Sequence, residues 1–240
     1  MKILTALPVY NESEHVATVL REVMRYASDI LVVDDGSTDG TDRVLEKMSP
    51  IRVVRHATNR GYGAALRTAF SYAITEGYEI LVTIDCDGQH EPCRIPDFLA
   101  ACTGDVDIVS GSRYLRRFPG DSEPPPDRQR INQIITHELN RILGLSLTDA
   151  FCGFKAYRVA SVSRLELTED GYAMPIELWV QAVKHGLKIV ELPVPLIYLE
   201  EKRAFGGALD NADIRLGVYK AVLERSLQRA GWRVESMWQQ

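Results

Sequence analysis

Short apolar runs rich in β-branched residues, separated by amphipathic stretches of helical length, constrain this chain more than any other feature of it. The runs cover residues 3–7, 30–33, 51–54, 80–84 and 107–109, each about as long as a strand. Between them lie the amphipathic stretches 13–26, 41–48, 61–75 and 94–101. This β-α-β-α-β-α-β-α-β order predicts an α/β fold, a mostly parallel open sheet with helices on both faces. Such sheets bind ligands beyond the carboxyl ends of their strands, so chemistry is expected in the loops after Leu7, Val33 and Ile84.

Past residue 112 the rhythm changes. Residues 115–127 hold Arg116, Arg117, Gly120 and the run Pro124-Pro125-Pro126, which cannot continue a helix or an inner strand, and a mobile loop is predicted. A helix follows over 127–143 and stops at Gly144. After it come a strand over 154–158, a helix over 175–185, and short strands around Ile189 and over 196–199. From Ala208 to Ala230 apolar residues keep a spacing of three or four, with Arg215, Arg225 and Arg229 on an adjacent stripe. The pattern fits a helix packed on its own domain and also one lying on a membrane surface.

With 240 residues, 45% of them apolar and 25% charged, the chain can bury a core without disulfides, and disorder is excluded as its main character. The net charge of −5 argues against a general nucleic-acid binder, and no nucleic-acid partner is expected. Residues 110–164 nevertheless hold nine Lys or Arg against five Asp or Glu, a local +4 that marks the anion-facing segment. The four cysteines form no C-x-x-C pair and no zinc-like spacing with histidine, which fits a reducing, cytoplasmic compartment. No signal peptide and no run of ~18 apolar residues is legible, so the chain is expected to be soluble or to lie on a membrane.

The loop after the first strand reads Pro8-Val9-Tyr10-Asn11-Glu12. That after the second reads Asp34-Asp35-Gly36-Ser37-Thr38-Asp39-Gly40-Thr41, and that after the fourth Asp85-Cys86-Asp87-Gly88-Gln89-His90. All three carry acids and converge on one sheet edge. Neither G-x-G-x-x-G nor G-x-x-x-x-G-K-[ST] occurs, so phosphates are not expected on a Gly-rich backbone cradle. Carboxylates and an amide oxygen are hard ligands that suit Mg2+ or Mn2+, ions that spend their remaining sites on water and substrate phosphates. Asp85, Asp87 and Gln89 alternate along the loop and would share one face if it is extended, which makes them the expected metal ligands. Asp105 and Asp107 have the same spacing but precede a strand, where a solvated turn is expected. Asp34 and Asp35 repel unless one finds a partner, and a ribose hydroxyl or base N–H would serve. Ser37 or Asp39 is placed to cap the next helix and Gly36 to make the turn. Tyr10 is placed to lie against a nucleobase, with Glu12 accepting a hydrogen bond from it.

With Asn59-Arg60-Gly61-Tyr62-Gly63-Ala64-Ala65 and Gly111-Ser112-Arg113-Tyr114, these loops resemble the inverting family-two glycosyltransferases, and within them the dolichol-phosphate mannosyltransferase branch. The similarity continues through Gly153-Phe154-Lys155-Ala156-Tyr157-Arg158 and Ile176-Glu177-Leu178 to Glu191-Leu192-Pro193-Val194, about the first 200 residues. It implies a nucleotide-diphospho-sugar transferase fold of the GT-A type. The expected division is a catalytic domain over 1–205, with a nucleotide-sugar-binding half at 1–111 and an acceptor-binding half at 112–205, then an amphipathic helix and tail at 206–240. The resemblance implies that Pro8, Tyr10, Glu12, Val33 and Asp35 hold the nucleoside. It implies that Asp85, Cys86, Asp87 and Gln89 bind the pyrophosphate, Asp85, Asp87 and Gln89 through the cation, and that Arg113 faces the phosphates or the acceptor. In relatives a basic loop closes over the nucleotide; residues 200–207 occupy that place here, with Lys202 or Arg203 in the closing role.

The expected activity is transfer of mannose or glucose from GDP-mannose or UDP-glucose to a polyprenyl phosphate, with a divalent cation stabilising the leaving diphosphate. A lipid monophosphate, with second pKa about 6, is largely dianionic at neutral pH and attacks carbon one without a general base. Arg113, with Arg128 or Arg130, would clamp that phosphate. A hydroxyl acceptor would require a base, for which Glu177 is the reserve candidate; Glu177 reads equally as an acid stabilising a helix N-terminus. Two other classes stay open. A sugar nucleotidyltransferase usually needs a Gly-rich basic loop after the first strand, which Pro8 to Glu12 is not. A non-catalytic sugar-nucleotide binder is opposed by the acids at 35, 85 and 87. The protein is expected in the cytoplasm or on the cytoplasmic membrane face, where a membrane-protein partner would substitute for the anchor many relatives carry.

Overall fold

The computed structural model of the chain describes residues 1–199 and 205–232. Its strands are β1 (Ile3–Val9), β2 (Ile30–Asp34), β3 (Arg52–Arg55), β4 (Ile80–Thr83), β5 (Ile108–Ser112), β6 (Lys155–Arg158) and β7 (Ile189–Pro193). Its helices are α1 (Val16–Val23), α2 (Thr41–Leu45), α3 (Tyr62–Thr75), α4 (Ile95–Ala101), α5 (Pro126–Leu143), α6 (Val159–Val162), α7 (Met174–Lys184) and α8 (Ala212–Arg229). The strands form one sheet in the order β3-β2-β1-β4-β6-β5-β7, parallel except for β6, which runs antiparallel to both neighbours.

Alternation along the strands divides the apolar side chains between the two faces. In β2, Leu31 and Val33 enter the core beneath α3, α5, α7 and α8, while Ile30 and Val32 enter the core beneath α1 and α4. Both faces are covered, so all five β2 residues are buried, which is why the strand reads as an unbroken apolar run. The β3 edge carries Arg52 and Arg55, paired with Asp29 at 2.8 Å and Asp42 at 3.1 Å, and these charges discourage pairing with another chain.

Reversal of β6 matters for the site. Its first residue, Lys155, is in register with Thr83 of β4 and Ser110 of β5, so the 152–155 turn lies at the carboxyl end of its neighbours. The expected strand over 196–199 does not form. Pro193 and Pro195 lack the N–H groups a ladder extending β7 needs, and the segment is tied instead to the β5–α5 loop. There Ser122 N donates to Leu196 O at 2.7 Å and Leu196 N to Asp121 Oδ1 at 2.9 Å. Helix α8 packs on α5 and α7 through Tyr219, Val222, Leu223 and Leu227, each buried apolar side chain contributing about 1.5–3 kcal/mol. Among the described residues no helix is long and apolar enough to cross a membrane.

Candidate active site

A cleft of about 1090 Å³ opens at the carboxyl ends of β1, β2 and β4. The loop after β1 is stitched to the loop after β2: Asn11 N donates to Ser37 Oγ at 2.9 Å, Thr38 N to Asn11 Oδ1 at 2.8 Å, and Glu12 N to Thr41 Oγ1 at 2.9 Å. Asn11 adopts φ 54°, a left-handed conformation that asparagine tolerates. Ser37 is spent on this stitch and does not cap α2; Asp39 does so from one residue before the cap, accepting from Thr41 N at 3.0 Å. Partial burial pushes the Asp39 carboxyl up, but bonds from Thr41 and Ser13 outweigh it and hold the group at about 2. The stitching leaves Tyr10 44% exposed on the cleft wall beside Pro8 and Glu12. Val33 is different: its side chain is fully buried in the core and does not line the cleft, so it cannot touch a nucleoside there.

The adjacent acids of the second loop find partners within the protein. Asp34 pairs with Arg55 Nε at 3.1 Å and accepts from Ser37 N. Asp35 borders the cleft, yet its Oδ1 accepts from Arg60 N at 2.9 Å and lies 2.6 Å from His56 Nδ1, while Oδ2 accepts from Gly61 N at 2.7 Å. Three of about four lone-pair sites are thereby engaged. The repulsion that a ribose or base was expected to relieve is relieved by Arg55 and His56, and Asp35 shapes the 59–61 turn. Gly36, at φ 73°, admits no side chain because a Cβ would sit 2.5 Å from the Thr58 carbonyl carbon.

Asp85, Cys86, Asp87 and Gln89 all line the cleft. The turn is bent at Gly88, φ 72°, rather than extended, and Gln89 N donates to Asp87 Oδ1 at 2.9 Å. Asp85 Oδ1 accepts from Tyr62 Oη at 3.0 Å, and its Oδ2 is 3.4 Å from His90 Nε2. Burial raises the Asp85 carboxyl, but the His90 and Tyr62 contacts prevail and keep it below its ordinary value. Gly153, just before β6, lies against this carboxylate so closely that a Cβ would overlap both oxygens. Thr83 Oγ1 donates to Gly153 O at 2.9 Å, and the buried Lys155 ammonium donates to Cys152 O, which fixes that floor.

Just past the end of β5, Arg113 grips Asp149 with Nε at 2.6 Å and Nη2 at 3.0 Å, a bidentate pair. Burial raises the Asp149 carboxyl, but the Arg113 charge and bonds dominate and hold it well below the carboxylate range. Arg113 still borders the cleft, as does Arg128. Arg130 does not: it is exposed on the far side of α5 and pairs with Asp213 at 3.4 Å, because residues two apart on a helix point in nearly opposite directions. Glu177 also lies outside the cleft. Buried at the start of α7, it accepts from Thr168 N and Glu169 N at 2.7 Å, from Thr168 Oγ1 at 2.9 Å and from Arg229 Nη1 at 3.0 Å, which leaves it no room to act as a base. Sequence reasoning missed Tyr62, Gly153, Asp149 and Arg215 as parts of the site. Only Tyr62 and Gly153 stood in quoted motifs. Lys202 and Arg203, one or the other of which is expected to close over the nucleotide, and their neighbours Glu200 and Glu201 lie outside the described residues.

The chain is 33% identical over 90% of its length to an undecaprenyl-phosphate mannosyltransferase of Micrococcus luteus, covering 93% of that protein. It is 31% identical to the polyprenol monophosphomannose synthase of Mycolicibacterium smegmatis, over 91% of this chain and 85% of the other. Among solved structures it is similar to glucosyl-3-phosphoglycerate synthase from Mycobacterium tuberculosis in complex with Mn2+, uridine diphosphate and phosphoglyceric acid. The TM-score is 0.70 at 19% identity over 98% of this chain and 80% of that one, a likeness of fold. The family model described as "Glycosyl transferase family 2" matches residues 5–165, and the chain belongs to that family.

Proposed function

We propose that the protein transfers a hexose, mannose or glucose, from a nucleoside-diphosphate sugar to a polyprenyl phosphate with inversion at carbon one. The observation that carries this proposal is the set of side chains that line a single cleft. Asp85, Asp87 and Gln89 line it together with Arg113 and Arg128, and Ile131, Phe151 and Ile197 add apolar surface. Of the relatives named above, one is by its name an undecaprenyl-phosphate mannosyltransferase and the other a polyprenol monophosphomannose synthase, and that supports a polyprenyl phosphate acceptor here. The chain then divides at about residue 111 into a donor half and an acceptor half. The place of action is the cytoplasmic membrane face, with a membrane-protein partner as a further expectation.

Among the described residues no three Asp, Glu, His or Cys side chains stand close enough to hold an ion unaided. That suits Mg2+ or Mn2+, which takes one or two carboxylates and completes its shell on phosphate oxygens and water. Asp85, Asp87 and Gln89 would hold it. Bound there, the cation would neutralise charge collecting on the departing diphosphate. The protein's own groups do the remainder. Tyr62 and Gly153 fix the Asp85 carboxylate, Tyr10 lies against the base, and Arg113, immobilised by Asp149, orients the acceptor phosphate. With Glu177 occupied, an acceptor that ionises by itself fits better than a hydroxyl. The test is transfer of radiolabelled sugar from GDP-mannose and UDP-glucose to a short isoprenyl phosphate, with the product anomer read by NMR. An inverted glycosyl phosphate is expected; failure of both donors, or transfer only to hydroxyl acceptors, would refute the proposal.

A further inference from the structure

The spacing along 208–230 predicts one basic stripe of Arg215, Arg225 and Arg229, but in the structure the three part company. Arg225 pairs with Glu169 at 3.1 Å and Arg229 with Glu177 at 3.0 Å. Arg215, in the first turn of α8, turns inward: it is 3% exposed and borders the cleft. Its Nη1 donates to Leu209 O at 2.7 Å, and its guanidinium lies 4.4 Å from the Phe205 ring centroid. Among the described residues no carboxylate pairs with it. A buried cation is costly without an opposite charge, and carbonyl oxygens and a ring face offset only part of that cost.

Arg128, from α5, lies 4.7 Å from the same Phe205 centroid and borders the same cleft. Two helices remote in sequence therefore bring two guanidiniums to one ring. That ring is itself placed relative to the acidic turn: Phe205 meets Tyr172 edge-on at 5.2 Å, Tyr172 stacks on Tyr62 at 5.7 Å, and Tyr62 holds Asp85. The wall nearby is apolar, with Ile131, Phe151 and Tyr219. Guanidinium forks match phosphate oxygens, and apolar walls match a hydrocarbon ester.

We infer that Arg215 is an acceptor-binding residue, which with Arg128 across Phe205 takes a phosphate monoester of an apolar alcohol and not a soluble phosphorylated acid. The inference rests on the function proposed above, and makes α8 part of the acceptor site. It is tested with the full chain and a ten-carbon isoprenyl phosphate. Arg215→Gln is expected to raise the acceptor KM at least tenfold with the donor KM within twofold. Should that variant not fold, Arg215→Lys decides: it keeps the charge but loses the fork, and a three- to tenfold rise in acceptor KM alone is expected. Wild-type acceptor KM in a folded variant overturns the inference. In calorimetry, isoprenyl phosphate should bind wild-type chain at least tenfold more tightly than inorganic phosphate or phosphoglycerate, and Arg215→Lys should erode that binding. Equal affinity for the three overturns the choice of an apolar ester. Binding lost with Arg215 but without sugar transfer in wild type would support this site and count against the proposed reaction.

Discussion

Replacing Gly153 by alanine tests whether the Asp85 carboxylate must stand where it does. Gly153 has no left-handed backbone angle, so alanine meets no conformational penalty, but its Cβ would overlap both Asp85 oxygens. The backbone yields with difficulty, because Gly153 O is held by Thr83 and Cys152 O by Lys155. The Asp85 side chain moves instead, leaving Tyr62 Oη at 3.0 Å and His90 Nε2 at 3.4 Å. A hydrogen bond to a charged group contributes about 1.5–3 kcal/mol and an off-rotamer side chain costs about 0.5–1.5 kcal/mol, so the expected loss of stability is about 2–4 kcal/mol. For a domain of this size that lowers Tm by roughly 5–15 °C. Activity should suffer far more: a displacement of ~1 Å in a positioning group costs on the order of 100-fold. The assay is kcat/KM for sugar transfer below the variant's unfolding transition, beside calorimetric binding of the nucleoside diphosphate with Mn2+. Wild-type kcat/KM, or a loss no larger than the unfolded fraction, would refute the reasoning.

Two further outcomes follow from the partners described. Glu177→Gln should lose about 1–3 kcal/mol of stability by disturbing a carboxylate with four donors, yet keep kcat within twofold; a tenfold fall in kcat at unchanged Tm would restore Glu177 as a base. Asp39 at about 2 and Asp149, lowered by Arg113, both have folded-state pKa values depressed below their unfolded ones. Their stabilisation is therefore complete above about pH 5 and is lost as pH falls through the folded values, Asp39 first and Asp149 at lower pH, so Tm should drop as pH falls from about 5 toward 2 and less steeply in Asp39→Asn. An unchanged slope would contradict the assignment.

The parallel sheet and the acid-bearing loops were legible because both depend on local pattern: β-branched runs at strand length, and acids just beyond them. Asp85, Asp87 and Gln89 all border the cleft as their place at a strand end led one to expect. What could not be read were partnerships set by the fold. Nothing at positions 34 and 35 announces Arg55 and His56, which β3 delivers only by pairing beside β2. Spacing alone could not choose between Arg128 and Arg130, since the choice depends on which side of α5 faces the cleft. Arg215 looked like surface charge until α8 packed on α5 and α7, and the two readings of Glu177, reserve base or acid at a helix N-terminus, part only where Thr168, Glu169 and Arg229 surround it at the start of α7. The antiparallel β6, which carries Gly153 to Asp85, breaks the β-α alternation from which the sheet was inferred.

The most direct test of the cation-assisted diphosphate site is calorimetry of GDP and UDP binding to wild type and Asp87→Asn, each with Mn2+ and with chelator. At least one nucleotide should bind wild type with Mn2+ at least tenfold more tightly than with chelator, and the substitution should abolish that difference while the protein stays folded. Tight binding indifferent to both chelator and substitution would contradict the account.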